Sequence, residues 1–337
     1  MRIPLYNTFG DNYIIQLATE AGGAKILPKC VEIDDDRLME VLKLAAQIAK
    51  ERERQKQEAI KKSKKQGNKV GILIPLHPND RRYGWKGVLS CYGYTENTQL
   101  SEMFEKFEVK KCDEVSAPTF IKPERYESDR AGGEVKVEPY YVILATAGWV
   151  LTRIGTIIEK KDKNVTTIGV HVFSPEGGIL YSLNKRIAGR LLGTKPETAF
   201  SLWISKKVLD VLSANAFVSF LKVYTITDPI KNQPTVINGE FTVEVGKILA
   251  KAHLLTGDLE DIVLKALKSD YEMRDYYIRL VNYIYEYING AKRIEDLLYF
   301  ANRDLLMNLK SKVKLKEDLK RVAYYVNRIL IREMRGT

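Results

Sequence analysis

From about residue 241 to the last residue, glycine and proline nearly disappear and apolar residues recur at helical spacing. A chain with few turn formers and an apolar residue every three to four positions is confined to amphipathic helices packed side by side. Leu259, Ile262, Val263 and Leu267 make one such face. Tyr277, Leu280, Val281, Ile284, Tyr287 and Ile288 make a second, closed by Gly290 as a helix C-terminal glycine. A third consists of Ile294, Leu297, Leu298, Ala301, Leu305 and Leu306, and a fourth of Leu319, Val322, Ala323, Val326, Ile329 and Leu330. Residues 241–337 are therefore predicted to be a helical bundle domain. No fixed-period repeat relates these helices, which argues against a solenoid.

Residues 1–240 read as a mixed α+β domain with antiparallel strands. Short apolar runs, Ile14-Ile15 and Ile26-Leu27, are broken by Gly10, Gly22-Gly23 and Pro28. Asp34 is placed to cap a helix whose inner face is Leu38, Val41, Leu42, Ala45, Ile48 and Ala49. Beyond Lys50 helix-forming residues continue to about Gly67 with almost nothing to bury, so that half is expected to project into solvent or fray. Residues 70–75 and 88–92 read as strands and 99–111 as an amphipathic helix. Residues 113–139, with Pro118, Pro123, Gly132-Gly133 and Pro139, read as a long loop. Three apolar segments follow at 140–147, 151–159 and 165–173. The last two flank Lys160–Asn164, which reads as a hairpin turn. Helices are expected at 184–192 and 201–212, and a strand at 218–227 ended by Asp228-Pro229.

The chain has 337 residues, 45% hydrophobic and 29% charged, enough apolar content for a packed core. Its net charge of +11 and isoelectric point of about 9.2 favour polyanionic partners through Coulomb attraction and counterion release. The longest apolar stretch, residues 140–151, falls short of the roughly 18 residues that span a bilayer. The first residues hold no apolar run of signal-peptide length. A cytoplasmic protein with no membrane association is expected. Cys30, Cys91 and Cys112 are widely spaced, form no CxxC pair and offer neither a disulfide framework nor a four-ligand zinc site; they read as buried free thiols.

Three basic clusters are candidate phosphate contacts. The first lies on the helix overhang: Arg52, Arg54, Lys56, Lys61, Lys62, Lys64 and Lys65, against Glu51, Glu53 and Glu58. A solvated helix end is the plainer alternative. Arg81 and Arg82 follow, with Tyr83 and Trp85 nearby to stack on unpaired bases, although Trp85 also suits a core. The second cluster is Lys122, Arg125, Arg130, Gly132, Gly133 and Lys136, where paired glycines let a backbone approach a ligand closely. The third is the outer face of the last helix: Lys310, Lys312, Lys314, Lys316, Lys320, Arg321, Arg328, Arg332 and Arg335.

Signals of catalysis are few. His77, His171 and His253 stand alone, outside any metal-binding spacing. Gly239…Gly246-Lys247 lacks the spacing and the hydroxyl of a phosphate loop, and no GxSxG elbow occurs. Asp129 with Glu134-Val135-Lys136 is a loose match to the acid…ExK pattern of magnesium-dependent nucleases, a triplet common by chance in charged chains. Asp34-Asp35-Asp36 is better explained by helix capping than by cation binding. No cofactor, metal or catalytic residue is assigned.

The opening Ile3-Pro4-Leu5-Tyr6-Asn7-Thr8-Phe9-Gly10-Asp11, the later Val223-Tyr224-Thr225-Ile226-Thr227-Asp228-Pro229 and the all-helical C-terminus together resemble the large subunit of archaeal type I-A CRISPR interference complexes, the Cascade-like assemblies of antiviral defence. The composition, rich in Lys, Ile and Tyr, looks like that of a thermophilic archaeon. The resemblance lies in layout over most of the chain and carries no family-specific motif. It implies a non-catalytic subunit beside the guide RNA handle that helps recognise the protospacer-adjacent motif on target DNA. Its implied partners are guide RNA, target DNA, the other subunits and a separate helicase-nuclease. The alternatives are a magnesium-dependent nuclease using Glu134 and Lys136, and a basic scaffold that binds acidic proteins.

Overall fold

A computed structural model describes residues 1–62, 84–123, 135–161, 164–187, 197–212, 217–227, 235–267, 273–307 and 313–334. Over these residues the chain is an α+β protein with antiparallel sheets, as expected. It divides into two compact units, Met1–Arg190 with Leu221–Thr242, and Leu191–Phe220 with Val243–Thr337.

The first unit begins with a three-stranded antiparallel sheet. In it β3 (Cys30–Glu32) lies between β1 (Arg2–Pro4) and β2 (Lys25–Leu27). Helix α1 (Gly10–Ala21) separates the first two strands, and α2 (Asp35–Lys62) follows the third. Asp34 caps α2 as expected: its Oδ1 accepts the amides of Asp36 at 3.1 Å and Arg37 at 3.2 Å. The next helix, α3 (Gly84–Tyr92), replaces the strand expected at 88–92. Trp85, Val88, Leu89 and Tyr92 are all buried, and their spacing is helical, not alternating. The strand expected at 70–75 lies outside the described residues.

Helix α4 (Leu100–Glu105) is much shorter than the helix expected over 99–111. The chain leaves it at Lys106 and returns to α3, where Tyr92 Oη donates to the Glu108 carbonyl at 2.7 Å. Cys112 is bonded to Cys91, with Cα atoms 6.0 Å apart. This corrects the reading of three free thiols: only Cys30 is free and buried. Twenty-one positions separate the bonded pair. Linear spacing carries no sign of their approach because the fold of the intervening α4 brings them together. The long loop expected at 113–139 contains a two-rung antiparallel ladder, β4 (Val115–Ser116) with β5 (Lys136–Val137), before the next helix starts at Pro139.

That helix, α5 (Pro139–Thr152), is buried along its whole length. A helix that is apolar all round needs neighbours on every side, and α1 and α2 supply two of them. The approach to α1 is close: a Cβ at Gly148 would lie 2.2 Å from the Tyr13 carbonyl oxygen. Across the same contact, Tyr141 Oη donates to Asp11 Oδ1 at 2.5 Å. The amides of Tyr6 and Thr8 donate to the same carboxylate at 3.1 Å. Burial, reinforced by Asp11, drives the Tyr141 hydroxyl pKa well above its ordinary value. The opening segment of the sequence is thus a structural anchor.

Strands β6 (Arg153–Lys161) and β7 (Asn164–Phe173) form the expected hairpin, with Lys161 opposite Asn164. They continue into a sheet of order β6-β7-β8-β9 with β8 (Leu221–Thr227) and β9 (Val236–Val243). Phe9, Tyr13, Phe173 and Tyr224 form an aromatic cluster in the core, mostly edge to face with centroids 5.1–6.2 Å apart. Helix α6 (Leu180–Ile187) completes the unit.

The second unit contains α7 (Glu197–Val211), α8 (Val245–Leu249), α9 (Gly257–Leu267), α10 (Arg274–Ile288), α11 (Ile294–Met307) and α12 (Val313–Met334). The predicted faces of α9, α10 and α12 are buried nearly in full. On α11 the core is Leu297, Phe300 and Ala301, whereas Leu306, expected inside, is 65% exposed. Lys265 ties three of the helices together: its Nζ lies 2.9 Å from Asp261 and 3.0 Å from Asp318, and donates to Tyr277 Oη at 3.4 Å.

Candidate nucleic-acid interface

The overhang of α2 is anchored by charged groups where apolar ones stop. Ile48 and Ala49 end the apolar stripe, and one turn on, at the same face, come Arg52 and Glu53. Glu53 is only 4% exposed. Its Oε1 accepts the Leu100 amide at 2.8 Å and its Oε2 the Ser101 hydroxyl at 2.9 Å, so it caps the start of α4 from outside. Burial raises its carboxyl pKa even though the Ser101 and Leu100 donors pull the other way. Arg52 Nη2 donates to the Arg153 carbonyl oxygen and, at 2.5 Å, to Asn184 Oδ1. Burial, then the like charge of Arg153, lowers the Arg52 pKa to about 9, so it is a cation at neutral pH.

This corrects the expectation that the half beyond Lys50 projects into solvent or frays from its start. Two side chains that sequence charge alone places in solvent are what keep the helix attached to the unit. Their signal was the continuation of 3.6-residue spacing past Ala49, carried by polar residues. On the opposite face, Arg54 Nη2 lies 2.7 Å from Glu51, Arg54 Nη1 lies 3.1 Å from Glu58, and Arg54 Nε donates to Glu51 at 3.0 Å. Arg54 is thereby neutralised along the helix. The excess charge of the run rests on its lysines. Lys61 and Lys62 form the last turn of α2; Lys64 and Lys65, like Arg81, Arg82 and Tyr83, lie outside the described residues.

Trp85 is 2% exposed and part of the core, which rules out stacking on a base from that position. In the second cluster, Lys122 follows the buried Phe120 and Ile121, and Lys136 is exposed on β5 opposite Ser116. The Ala117 amide donates to the Val135 carbonyl at 2.8 Å, so both ends of this segment are fixed to one ladder. Arg125, Arg130, Gly132, Gly133, Asp129 and Glu134 lie outside the described residues. Among the described residues no group of His, Cys, Asp and Glu has the arrangement of a metal site, and no helix is long and apolar enough to cross a membrane. His171 is a core residue. Its Nδ1 is 3.0 Å from Thr152 Oγ1, and burial, then the charges of Arg153 and Arg52, keep its pKa far below the ordinary value.

In the second unit the basic face of α12 is partly committed. Arg328 pairs with Asp258 at 3.1 Å, and Arg332 Nη1 donates to the His253 carbonyl at 2.6 Å. Lys320 and Arg321 remain exposed on the same helix as Tyr324, which is 63% exposed with the Arg328 guanidinium 5.7 Å from its ring centre. This combination of cations with an open aromatic face is suited to a backbone phosphate and an unpaired base. Lys314 is in the helix; Lys310, Lys312 and Arg335 lie outside the described residues.

A family model described as CRISPR-associated protein, CsaX, matches residues 31–305, which take in α2, the four-stranded sheet and the helices of the second unit from α7 through most of α11. No curated protein matches the chain.

Proposed function

Because the chain belongs to the CsaX family of CRISPR-associated proteins, we propose that it is a non-catalytic nucleic-acid-binding subunit of a CRISPR interference complex. In this reading it contacts the guide RNA handle and helps recognise the protospacer-adjacent motif of target DNA, alongside other subunits and a helicase-nuclease. The observation that carries the reading is the attachment of α2. Glu53 and Arg52 hold the helix one turn beyond its apolar face, which supports reading the lysine run that follows in sequence as a phosphate contact. Cations without a core role, held on a rigid element, are what backbone phosphate contacts require. Lys136 on its ladder, and Lys320 and Arg321 on α12, supply further positive surface within their own units. Sequence discrimination is then left to guide pairing, with the protein reading a short motif and the backbone.

Reversing Lys61, Lys62, Lys64 and Lys65 to glutamate tests this. The quadruple variant is expected to bind duplex DNA more weakly, with the slope of log affinity against log salt reduced by about 3 to 4. Unchanged affinity and slope would identify the cluster as a solvated helix end.

A further inference from the structure

In the first unit, α2 and α6 border a cavity of about 520 Å³. That size is within the range of small-molecule sites and accommodates a mononucleotide. Its wall includes Arg52, Gln47 and Gln55 at successive turns of α2, with Asn184 and Lys185 from α6.

The charge balance of this wall is unusual. Arg52 is a partly buried cation whose two acceptors, the Arg153 carbonyl and the Asn184 amide oxygen, are both neutral. Its Nη1 is out of reach of solvent and has no hydrogen-bond partner. The charged group that acts on it is Arg153, a like charge. Buried charges in proteins are normally paired, because an isolated one costs several kcal/mol. Among the described residues that line the cavity the one carboxylate is Glu51, and it is already engaged. It takes two hydrogen bonds from Arg54, at 2.7 and 3.0 Å, and one from Gln55 at 2.9 Å. These partners hold the Glu51 pKa below its ordinary value, so it stays an acceptor spent on other groups. Lys185, exposed at the rim with its Nζ 4.7 Å from the Tyr181 ring centre, adds a second cation.

We propose that this cavity binds a phosphate monoester of mononucleotide size, with Arg52 and Lys185 taking the phosphate. A guanidinium gives the planar, charge-assisted donors that phosphate oxygens accept best; Nη1, closed to solvent as the side chain stands, meets a phosphate once the guanidinium turns toward the cavity. An ammonium at the rim adds a mobile point charge. The amides of Gln47 and Gln55 provide donors and acceptors for a sugar or base, while Asn184 is spent on Arg52 and on the Leu151 and Leu180 carbonyls. The proposal rests on Arg52 and Lys185 and not on Lys61 to Lys65.

Two sources share this chemistry, a free nucleotide and the phosphorylated end of a strand. Calorimetric titration of the full chain with inorganic phosphate, adenosine, adenosine monophosphate, and a short oligonucleotide bearing either a 5′-phosphate or a 5′-hydroxyl separates them. Adenosine monophosphate should bind at least about tenfold tighter than adenosine, the size of one charge-assisted hydrogen bond. If the source is a strand end, the 5′-phosphorylated oligonucleotide binds tighter still and the 5′-hydroxyl form does not. Lys185→Ala, at an exposed position, should weaken phosphate-dependent binding about fivefold without shifting the melting temperature. Arg52→Lys, which keeps the charge but not the planar donors, should weaken it more than tenfold. Equal affinity for adenosine and its monophosphate, no binding by either, or full affinity in a folded Lys185→Ala chain would each overturn the proposal.

Discussion

At the scale of single residues, the buried polar groups are matched to specific donors with few exceptions, and the exceptions mark the places of interest. Glu20, near the end of α1, accepts the Leu180 amide at 3.3 Å and the Gln16 amide at 3.2 Å. Burial raises its carboxyl pKa from the ordinary 4.5 to about 7 in spite of these donors. The folded chain therefore holds a proton that the unfolded chain releases between about pH 4.5 and 7. Its contribution to stability is complete below about pH 4.5 and is lost as the pH rises through 7. Glu20→Gln keeps the neutral, hydrogen-bonded form at every pH. Thermal melts of both proteins between pH 4.5 and 8 should show the wild type losing ground to Glu20→Gln as the pH rises. Parallel curves would show that Glu20 is ionised and solvated in the folded chain. Arg52, Glu53 and Glu20 are all charged residues used internally. Composition and charge runs place such groups outside, which is why the sequence read the overhang of α2 as solvent-facing.

At the scale of elements, helices were most legible where packing and local preference agree. The faces of α9, α10 and α12 and the cap of α2 could be assigned residue by residue, because helical spacing and an N-cap aspartate are local signals. Segment 88–92 was misread because a short, mostly apolar run suits a strand as well as a buried helix, and the deciding residue, Trp85, lies one turn earlier. The early end of α4 has a long-range cause, the bond from Cys112 back to Cys91. Removing that bond as the double variant Cys91→Ser/Cys112→Ser frees a loop of about 20 residues in the unfolded chain, worth about 3 kcal/mol in the loop-entropy account. Denaturant unfolding should show that loss, and reduction of the wild type should reproduce it. No difference between oxidised and reduced protein would mean that the contacts of Tyr92 and the α4 cap hold this segment unaided.

At the scale of the whole molecule, a net charge of +11 fits several partner classes, and the fold narrows its use. Part of the positive charge is consumed internally, by Arg54 on Glu51 and Glu58, by Arg328 on Asp258 and by Lys265 on Asp261 and Asp318. What is left outside such pairs includes Lys320 and Arg321 on α12 and Lys136 on β5. The layout resemblance led to the CRISPR context, which the CsaX match supports at the level of family. The role within that context was not legible from motifs, since backbone-phosphate recognition needs only cations on rigid supports and leaves no fixed spacing. The most direct test of that role is the affinity of the intact chain for duplex DNA and for guide RNA across a salt series. The account predicts binding to both at low salt, with log affinity falling linearly with log salt at a slope of about −4 or steeper. Absence of binding at the lowest salt, or an affinity indifferent to salt, would contradict it.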